Sequence, residues 1–397
     1  MTLPDTGSQA LRCREMIWVG GQADRDDFGS IRTPGDMPEQ MKGAIGRIER
    51  ELTLNGAALE DLVFLLCFYA EDGSGDEPTV CAQLADCLPD GVKTAVNLVP
   101  VPRLMDVQQL VEIEGYAMRH PNGDLMPRSY AVSKPVQDAS EKFCPAIRCG
   151  KMIFVSGQAP IHTDGAVHAP GDIVEQTLFE MVQIERILAQ FGAGFADVVK
   201  SNRWYSGRAV VEDFEPAALA CARFYPEPGP AATGIPVPRF SDPDVTIKLS
   251  CVAMLGEDGR HLTRQHVWPE GHWDWTIKLP YKHGIKCDNM IFVGGQVALD
   301  TSGQAIEVGD LPAQVERSLR HIQTVLDRFE EPAAQLCKLT TLFRQETSSD
   351  IASPVQDIGL VLKAAPINTQ IPLPALAYPG LEVEIEAFAM LDRSKPS

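Results

Sequence analysis

The chain has 397 residues, of which 44% are hydrophobic and 22% are charged, a composition typical of a globular protein with two to four domains. Its 54 acidic residues outnumber the 35 basic ones and give a net charge of −19, which argues against a nucleic-acid partner. The chain lacks an apolar run long enough to cross a membrane and lacks a secretory signal, so we expect a cytoplasmic protein without a membrane partner.

One phrase occurs three times along the chain. It reads ALRCREMIWVGGQ at 10–22, AIRCGKMIFVSGQ at 146–158 and GIKCDNMIFVGGQ at 284–296. Each copy predicts a buried strand that ends in small residues. The methionines lie 136 and 138 residues apart, which is the length of a whole domain rather than of a short solenoid repeat.

The rest of each unit follows in the same order. Asp36, Asp172 and Asp310 are predicted helix N-caps with a glutamine four residues later. A helix, a strand, a second helix (clearest in EDFEPAALACARFY) and two final strands complete the unit. This order predicts an α+β unit, a mixed sheet covered by two helices on one face.

Two polar stretches separate the three units. RHPNGDLMPRS begins at Arg119 and GEDGRHLTRQH begins at Gly256, and both have the composition of linkers. We therefore expect three units, at residues 1–122, 123–260 and 261–397.

These motifs resemble the RidA (YjgF) family, whose members hydrolyse imines or enamines to a carbonyl compound and ammonia. The resemblance rests on M-I-F-V-S-G-Q, on the G-D-x-x-x-Q helix start and on the final E-I-E-A-F-A strand. It implies three fused chorismate-mutase-like units, arranged as a pseudo-trimer around a central barrel with a ligand pocket at each interface. It implies no cofactor.

The arginine that binds a substrate carboxylate in that family is absent from all three units. The matching positions hold Val96, Ala232 and Asn368, and of these only asparagine offers a polar donor. Arg103 and Arg239 lie seven residues further on, where a regular strand points to the opposite face unless the prolines introduce a bulge. They are either substitute ligand-binding residues or, as we favour, surface arginines.

Other pocket positions of the family are partly kept. The glutamate of the last strand, suited to positioning water or moving a proton, is matched by Glu112 and Glu384, whereas the second unit has Lys248. These glutamates also fit the polar face of an amphipathic strand. A tyrosine that lines the pocket is matched by Tyr281, with Phe143 as its counterpart in the second unit.

The glycine turn of the repeated phrase is a further candidate ligand contact. Gly21, Gly157 and Gly295 would let a ligand approach the backbone closely, or would only relieve crowding at a bend of the sheet. The segment HVWPEGHWDWTIKLPY has no counterpart in the other units. Its three tryptophans predict either aromatic pocket walls or an arm that packs over a neighbouring unit.

The sequence thus predicts a cofactor-independent deaminase or hydrolase of a small imine-, enamine- or amide-type metabolite, with Glu384 or Glu112 handling water. The alternative is a non-catalytic binder or scaffold with decayed pockets, which the missing arginine favours. Endoribonuclease activity fits poorly with the negative charge.

The ten cysteines form no C-x-x-C and no metal motif, so we expect buried thiols and no metal. Self-association of the pseudo-trimer is left open.

Overall fold

The computed structural model describes residues 9–71, 76–132, 141–207, 210–345, 362 and 364–392. Its strands form three separate mixed sheets, each accompanied by helices of the same part of the chain, so the predicted α+β class is confirmed. No helix in these ranges is long and apolar enough to cross a membrane. The described strands do not join into one closed barrel, and the pseudo-trimer with a central barrel stays a prediction.

The first sheet has five strands in the order β1-β2-β5-β3-β4. The elements of this unit are β1 (Ala10–Cys13), β2 (Met16–Gln22), α1 (Met37–Leu54), β3 (Leu62–Ala70), α2 (Glu77–Asp86), β4 (Ala95–Val101) and β5 (Val111–Met118). The hairpin β1–β2 carries the repeated phrase, and the parallel pair β3–β4 is connected through α2.

The second sheet has six strands in the order β10-β9-β11-β8-β7-β6. The elements are β6 (Arg128–Tyr130), β7 (Ala146–Cys149), β8 (Met152–Gln158), α3 (Ile173–Ala189), β9 (Val198–Ser206), α4 (Glu215–Ala222), β10 (Ala231–Val237) and β11 (Ile247–Met254). The edge strand β6 begins inside the first polar stretch, which is therefore not wholly a linker.

The third sheet has the order β12-β13-β14-β17-β15-β16. The elements are β12 (Arg264–Val267), β13 (Gly284–Cys287), β14 (Met290–Val297), α5 (Leu311–Asp327), β15 (Ala334–Arg344), β16 (Ile367–Leu373) and β17 (Val383–Leu391). The edge strand β12 begins inside the second polar stretch. The second helix predicted for this unit falls on residues 346–361, outside the described residues.

The three predicted helix starts are confirmed. The side chains of Asp36, Asp172 and Asp310 accept hydrogen bonds from backbone N–H groups of the first turn. The glutamine of the motif is buried: Gln176 Nε2 donates to the carbonyl of Asp244 at 2.7 Å, and its Oε1 accepts from the backbone of Thr246 at 2.8 Å. The equivalent glutamines make the same kind of contacts. The motif therefore fastens each helix to the loop before the last strand.

Each sheet packs against the other two through a fixed pair of strands. β4 contacts β8, β10 contacts β14, and β16 contacts β2, which defines a first–second, a second–third and a third–first interface. At each interface a hydroxyl accepts a hydrogen bond from a backbone N–H: Val96 to Ser156, Gly295 to Thr233, and Gly21 to Thr369.

Two of these interfaces also hold a buried ion pair. Lys200 Nζ lies 2.8 Å from Glu386 Oε2 at the second–third interface, and Lys338 Nζ lies 3.0 Å from Glu114 Oε1 at the third–first interface. All four side chains are at most 5% exposed. Buried charges are tolerated only when paired, so each of these ion pairs links the two sheets that it joins.

Candidate functional site

A cavity of about 30 Å³ lies at the second–third interface. Its two ionisable side chains of opposite sign are Arg203, from β9, and Glu384, from β17. The other lining residues include Phe214, Ala232, Trp273, Trp275, Tyr281, Gly295 and Tyr378. The volume holds one or two water molecules, and the walls are mostly aromatic and aliphatic.

Glu384 is buried beside the glycine turn of the third phrase. It is 6% exposed and lies opposite Val297 of β14. A Cβ atom on Gly295 would overlap the Glu384 carboxylate, so the glycine is needed to make room for this side chain. Burial raises the pKa of Glu384 to about 8, and the negative charge of Glu386 adds to this effect. The carboxyl group therefore keeps its proton near neutral pH.

Glu386, two residues further along β17, behaves in the opposite way. Burial alone would raise its pKa, but the cations Lys200 and Lys338 outweigh burial and lower the pKa to about 2. Its Oε2 also accepts hydrogen bonds from Asn202 Nδ2 at 3.0 Å and from Thr233 Oγ1 at 2.7 Å. Near neutral pH Glu386 is therefore the charged carboxylate and Glu384 the protonated carboxyl group.

Arg203 brings a guanidinium group to the cavity. It is 3% exposed, and a Cβ atom on the neighbouring Gly234 would lie 2.7 Å from its Nη2. Its Nη1 donates to the hydroxyl of Tyr281 at 3.0 Å, and its Nε lacks a hydrogen-bond partner. Its charge lies over the rings of Phe214 and Tyr281 at 5.3 and 5.6 Å. No carboxylate of the described residues forms an ion pair with it.

The tryptophan segment forms one wall of the cavity and is fastened by the repeated phrase. Trp273 Nε1 donates to Gln296 Oε1 at 3.1 Å, and His272 Nε2 donates to the same oxygen at 2.8 Å. Trp275 stacks on His283 with an angle of 8° between the rings. The segment therefore forms a wall of the cavity, and these hydrogen bonds hold it on β14 of its own sheet, whereas the predicted arm was one that packs over a neighbouring unit.

Among the predicted site residues, Tyr281, Gly295 and Glu384 meet in this one cavity. Ala232, at the position of the missing arginine, lines it as well. Tyr281 is 1% exposed, and its hydroxyl accepts the hydrogen bond from Arg203. The guanidinium that reaches the cavity comes from the adjacent strand β9, where Gly234 lies opposite Arg203 and leaves room for it.

Glu112, Gly21 and Asn368 lie at the third–first interface. Glu112 accepts a hydrogen bond from Gln109, and a Cβ atom on Gly21 would overlap its carboxylate. Asn368 Oδ1 accepts from Thr341 Oγ1 at 2.8 Å, while its buried Nδ2 lacks a hydrogen-bond partner. Burial raises the pKa of Glu112, although the hydrogen bond from Gln109 opposes this. The position of β15 that is equivalent to Arg203 in β9 holds Thr341, so this strand brings no arginine to the third–first interface.

The first–second interface is filled by its own side chains. Lys248, the counterpart of Glu384, forms an ion pair with Glu77, which also accepts from the Tyr69 hydroxyl at 3.2 Å. A Cβ atom on Gly157 would overlap the side chain of Asn97. Gly157 therefore makes room for a protein side chain at this interface.

The two candidate substitute arginines lie away from the cavity lining. Arg239 is 67% exposed in its side chain and pairs with Glu71 at 3.0 Å across the first–second interface. Arg103 is half-buried, and its Nη1 and Nη2 have no hydrogen-bond partner. Of these three arginines, Arg203 is the one that lines the cavity.

Arg203 was visible in the sequence but was not selected as a site residue. In SNRWYS the second unit carries Asn202, Arg203 and Trp204, which its counterparts lack, and an exposed strand end would equally give this pattern. Burial of Arg203 excludes that explanation. Phe214 and Tyr378 were not predicted: Phe214 ends the helical turn Val210–Phe214 before α4, and Tyr378 lies in the segment between β16 and β17. No group of three or more metal-ligating side chains occurs within the described part of the chain.

Comparison with known proteins supports the family resemblance. Residues 134–255 and 276–391, more than half of the chain, match the family model described as Endoribonuclease L-PSP. A RutC family protein of Pyrococcus abyssi is 32% identical over 120 residues, which are 30% of this chain and 88% of that protein. The 3-aminoacrylate deaminase RutC of Acinetobacter baylyi is 25% identical over 128 residues, 32% of this chain and 98% of that protein.

A solved structure resembles most of the chain. The crystal structure of a chorismatase has a TM-score of 0.52 and 13% sequence identity, and the match covers 83% of this chain and 93% of that chain. At this identity the likeness concerns the fold alone. It shows that the arrangement of the three sheets along one chain occurs in another protein.

Proposed function

This chain belongs to the Endoribonuclease L-PSP family, and we propose that its second–third interface hydrolyses a small anionic imine or enamine to a carbonyl compound and ammonia. One observation carries the proposal. A buried arginine without a carboxylate partner and a glutamate that keeps its proton near pH 7 line the same cavity. Both the charge to hold an anion and the proton to activate a C=N bond are therefore in place.

The anionic substrate follows from the charge of the cavity. Burying an unpaired cation is costly, and a bound carboxylate would repay that cost through charge-assisted hydrogen bonds. Arg203 has an unpaired Nε, and protonated Glu384 does not neutralise it. The cavity thus has a net positive charge near pH 7, although the chain as a whole is strongly negative.

The proposed reaction uses Glu384 twice. Its protonated carboxyl donates a proton to the imine nitrogen while water adds to the carbon, and the carboxylate takes the spare proton of that water. The glutamate then donates this proton to the nitrogen of the carbinolamine, the C–N bond breaks, and the hydroxyl proton returns to the carboxylate. An enamine enters the same path after protonation at carbon. Ammonia and a carbonyl compound leave, and Glu384 is again protonated.

Substrate entry requires the aromatic wall to move. A volume of about 30 Å³ is far below the roughly 300 Å³ of a typical ligand pocket. The wall is closed by hydrogen bonds of Thr276 Oγ1 to Tyr378 at 3.1 Å and to Glu215 at 2.9 Å. Thr276 is exposed and Glu215 is partly exposed, whereas Tyr378 is buried, so we expect that opening the wall at Thr276 costs less than moving β14 or β17.

The small volume also favours a second candidate function, a binder of a small anion that performs no chemistry. This binder would use Arg203 and Tyr281 and would leave the proton of Glu384 unused. The two functions differ in whether ammonia is released.

We further propose the arrangement that the resemblance implies, three units at residues 1–122, 123–260 and 261–397 that form a pseudo-trimer. The cyclic contacts β4–β8, β10–β14 and β16–β2 support it. The pairing of β6 with β7 and of β12 with β13 supports unit boundaries that precede residues 128 and 264. The proposed partner is a small-molecule metabolite, and the site needs no cofactor.

The test is a coupled assay of ammonia release. 3-Aminoacrylate and imino acids generated in situ by an amino acid oxidase are offered to the purified chain, with Arg239→Gln as a matched surface control. We expect ammonia release above the uncatalysed rate for wild type and control, and a near-complete loss for Glu384→Gln. Saturable binding of the corresponding oxo acids without ammonia release would favour the non-catalytic binder.

A further inference from the structure

A second and larger cavity, of about 340 Å³, lies where the three sheets meet at the start of the repeated phrases. Its floor is formed by methionines, and we call it the methionine chamber. Seven methionines line it: Met126 and the six that we call the floor, which are Met16, Met118, Met152, Met254, Met290 and Met390. None of its lining residues lines the cavity of Arg203 and Glu384.

The six methionines of the floor occupy equivalent positions in the three units. In each sheet the first residue of the phrase strand pairs with a methionine near the end of the last strand, so each unit supplies one cross-strand pair. All six side chains are at most 4% exposed. Six thioethers therefore face one space, two from each unit.

The size and the lining of the chamber fit a small organic molecule. Pockets for such ligands begin near 300 Å³, and a single metal ion would leave most of this volume unused. Methionine is apolar and polarisable and has three rotatable bonds, so its side chain adapts to ligands of different shape. The floor therefore suits an apolar group of several carbon atoms.

Charged side chains surround the opening of the chamber. Lys151 pairs with Asp288 at 2.8 Å, and Arg14 pairs with Glu15 at 3.4 Å. These pairs leave Glu257, an exposed carboxylate that forms no ion pair among the described residues. The lining thus has three carboxylates against two cations, which favours a ligand with a positive charge at the opening.

We propose that the methionine chamber is a binding site for a small aliphatic amine, with its apolar part on the methionine floor and its ammonium group near Glu257. This site is separate from the proposed catalytic cavity and does not depend on its chemistry. The ammonium group would form the ion pair that Glu257 lacks, and the alkyl chain would leave water for the thioether surface.

The test is a titration of the whole chain with hexylammonium, followed by NMR of ¹³C-methyl-labelled methionine. We expect saturable shifts of the six floor methyl groups, while Met37, Met41 and Met181 in the helices stay unchanged. Glu257→Gln, an exposed substitution, should weaken hexylammonium binding by roughly two- to fivefold and leave binding of hexan-1-ol unchanged.

Three results would overturn the proposal. The first is an absence of shifts in the floor methyl groups at millimolar hexylammonium. The second is hexanoate binding as tightly as hexylammonium, which would contradict the charge preference. The third is equal shifts of helix and floor methionines, which would indicate non-specific partitioning.

Discussion

At the second–third interface the last strand presents Glu384, which faces Arg203 across a cavity. At the first–second interface the equivalent position holds Lys248, which forms an ion pair with Glu77. Both positions lie beside the glycine of the repeated phrase. In one case the glycine makes room for a proton-carrying acid, and in the other for the side chain of Asn97.

The two interfaces also differ in the buried ion pair next to these positions. The positions equivalent to Lys200 and Glu386 at the first–second interface hold Phe64 and Ser250, so both charges are missing together. A single remaining charge would be buried without a partner. Identical subunits would carry three identical pockets, whereas a fused chain lets one interface specialise while another is filled.

The largest expected effect separates the two glutamates on equivalent strands. Glu384→Gln should lower kcat for ammonia release by roughly 10²- to 10⁴-fold, because the amide cannot transfer a proton. Glu112→Gln is the matched control at the third–first interface and should change kcat by less than about threefold. Similar losses of kcat in both variants would mean that the third–first interface also contributes to ammonia release.

Removing one member of a buried ion pair should destabilise the second–third interface. Lys200→Met removes the ion-pair partner of Glu386, with Lys338 as its remaining nearby cation, and should lower the free energy of unfolding by roughly 3 kcal/mol, measured by urea denaturation. The double variant Lys200→Met/Glu386→Met removes both charges, as Phe64 and Ser250 do at the equivalent positions of the first–second interface, and should recover most of the loss. If the double variant is no more stable than the single one, the two charges do not depend on each other, and their joint absence from the first–second interface needs another explanation.

Arg203→Met keeps an unbranched apolar stem and removes the guanidinium with its charge. For an anionic substrate kcat/KM should fall by roughly 30- to 150-fold, mostly through KM, because a charge-assisted hydrogen bond is lost. Thermal stability should be unchanged or higher, since a buried unpaired cation disappears. A loss of activity that follows a loss of Tm would instead assign Arg203 a structural role.

Activity should depend on pH through Glu384. Because its raised pKa keeps it protonated up to about 8, kcat should fall about tenfold per pH unit above 8. Glu386→Gln removes a nearby like charge and frees the positive charge of Lys200, so the fall should begin at a lower pH. An unchanged profile in this variant would show that another group sets it.

The same raised pKa links stability to pH. Glu384 ionises at about 4.5 in the unfolded chain and at about 8 in the folded one, so its contribution to stability is complete below 4.5. That contribution is lost as pH rises to 8, by roughly 5 kcal/mol. Glu384→Gln should show a flatter fall of Tm over this range than wild type.

The smallest effect is expected from the filled interface. Lys248→Met should change kcat/KM by less than about twofold, because its ion pair with Glu77 lies outside the lining of the active cavity. A strong loss of activity without a loss of Tm would place a functional site at the first–second interface.

The repeated phrase made much of the fold predictable. Its strands, the aspartate N-caps and the final strands occur where the pattern places them, because each is specified by local sequence. The edge strands β6 and β12 were taken for linkers, since three or four residues that pair only with a hairpin leave no periodic signal.

The cavity residues that the sequence indicated are those that match pocket positions of the family it resembles. Tyr281, Gly295 and Glu384 were found by matching positions, and they line one cavity. Arg203 was missed as a site residue because the guanidinium comes from β9 and not from β10. Which neighbouring strand supplies a charge depends on the packing between two sheets, and local sequence does not specify that packing.

The most direct test of the account is a crystal structure of the chain soaked with pyruvate, a small 2-oxo acid that stands for the product of imine hydrolysis. We predict one molecule at the second–third interface, with its carboxylate on the guanidinium of Arg203 and its keto oxygen within hydrogen-bond distance of Glu384. Pyruvate bound instead at the third–first interface, against Asn368 and Glu112, would contradict the account.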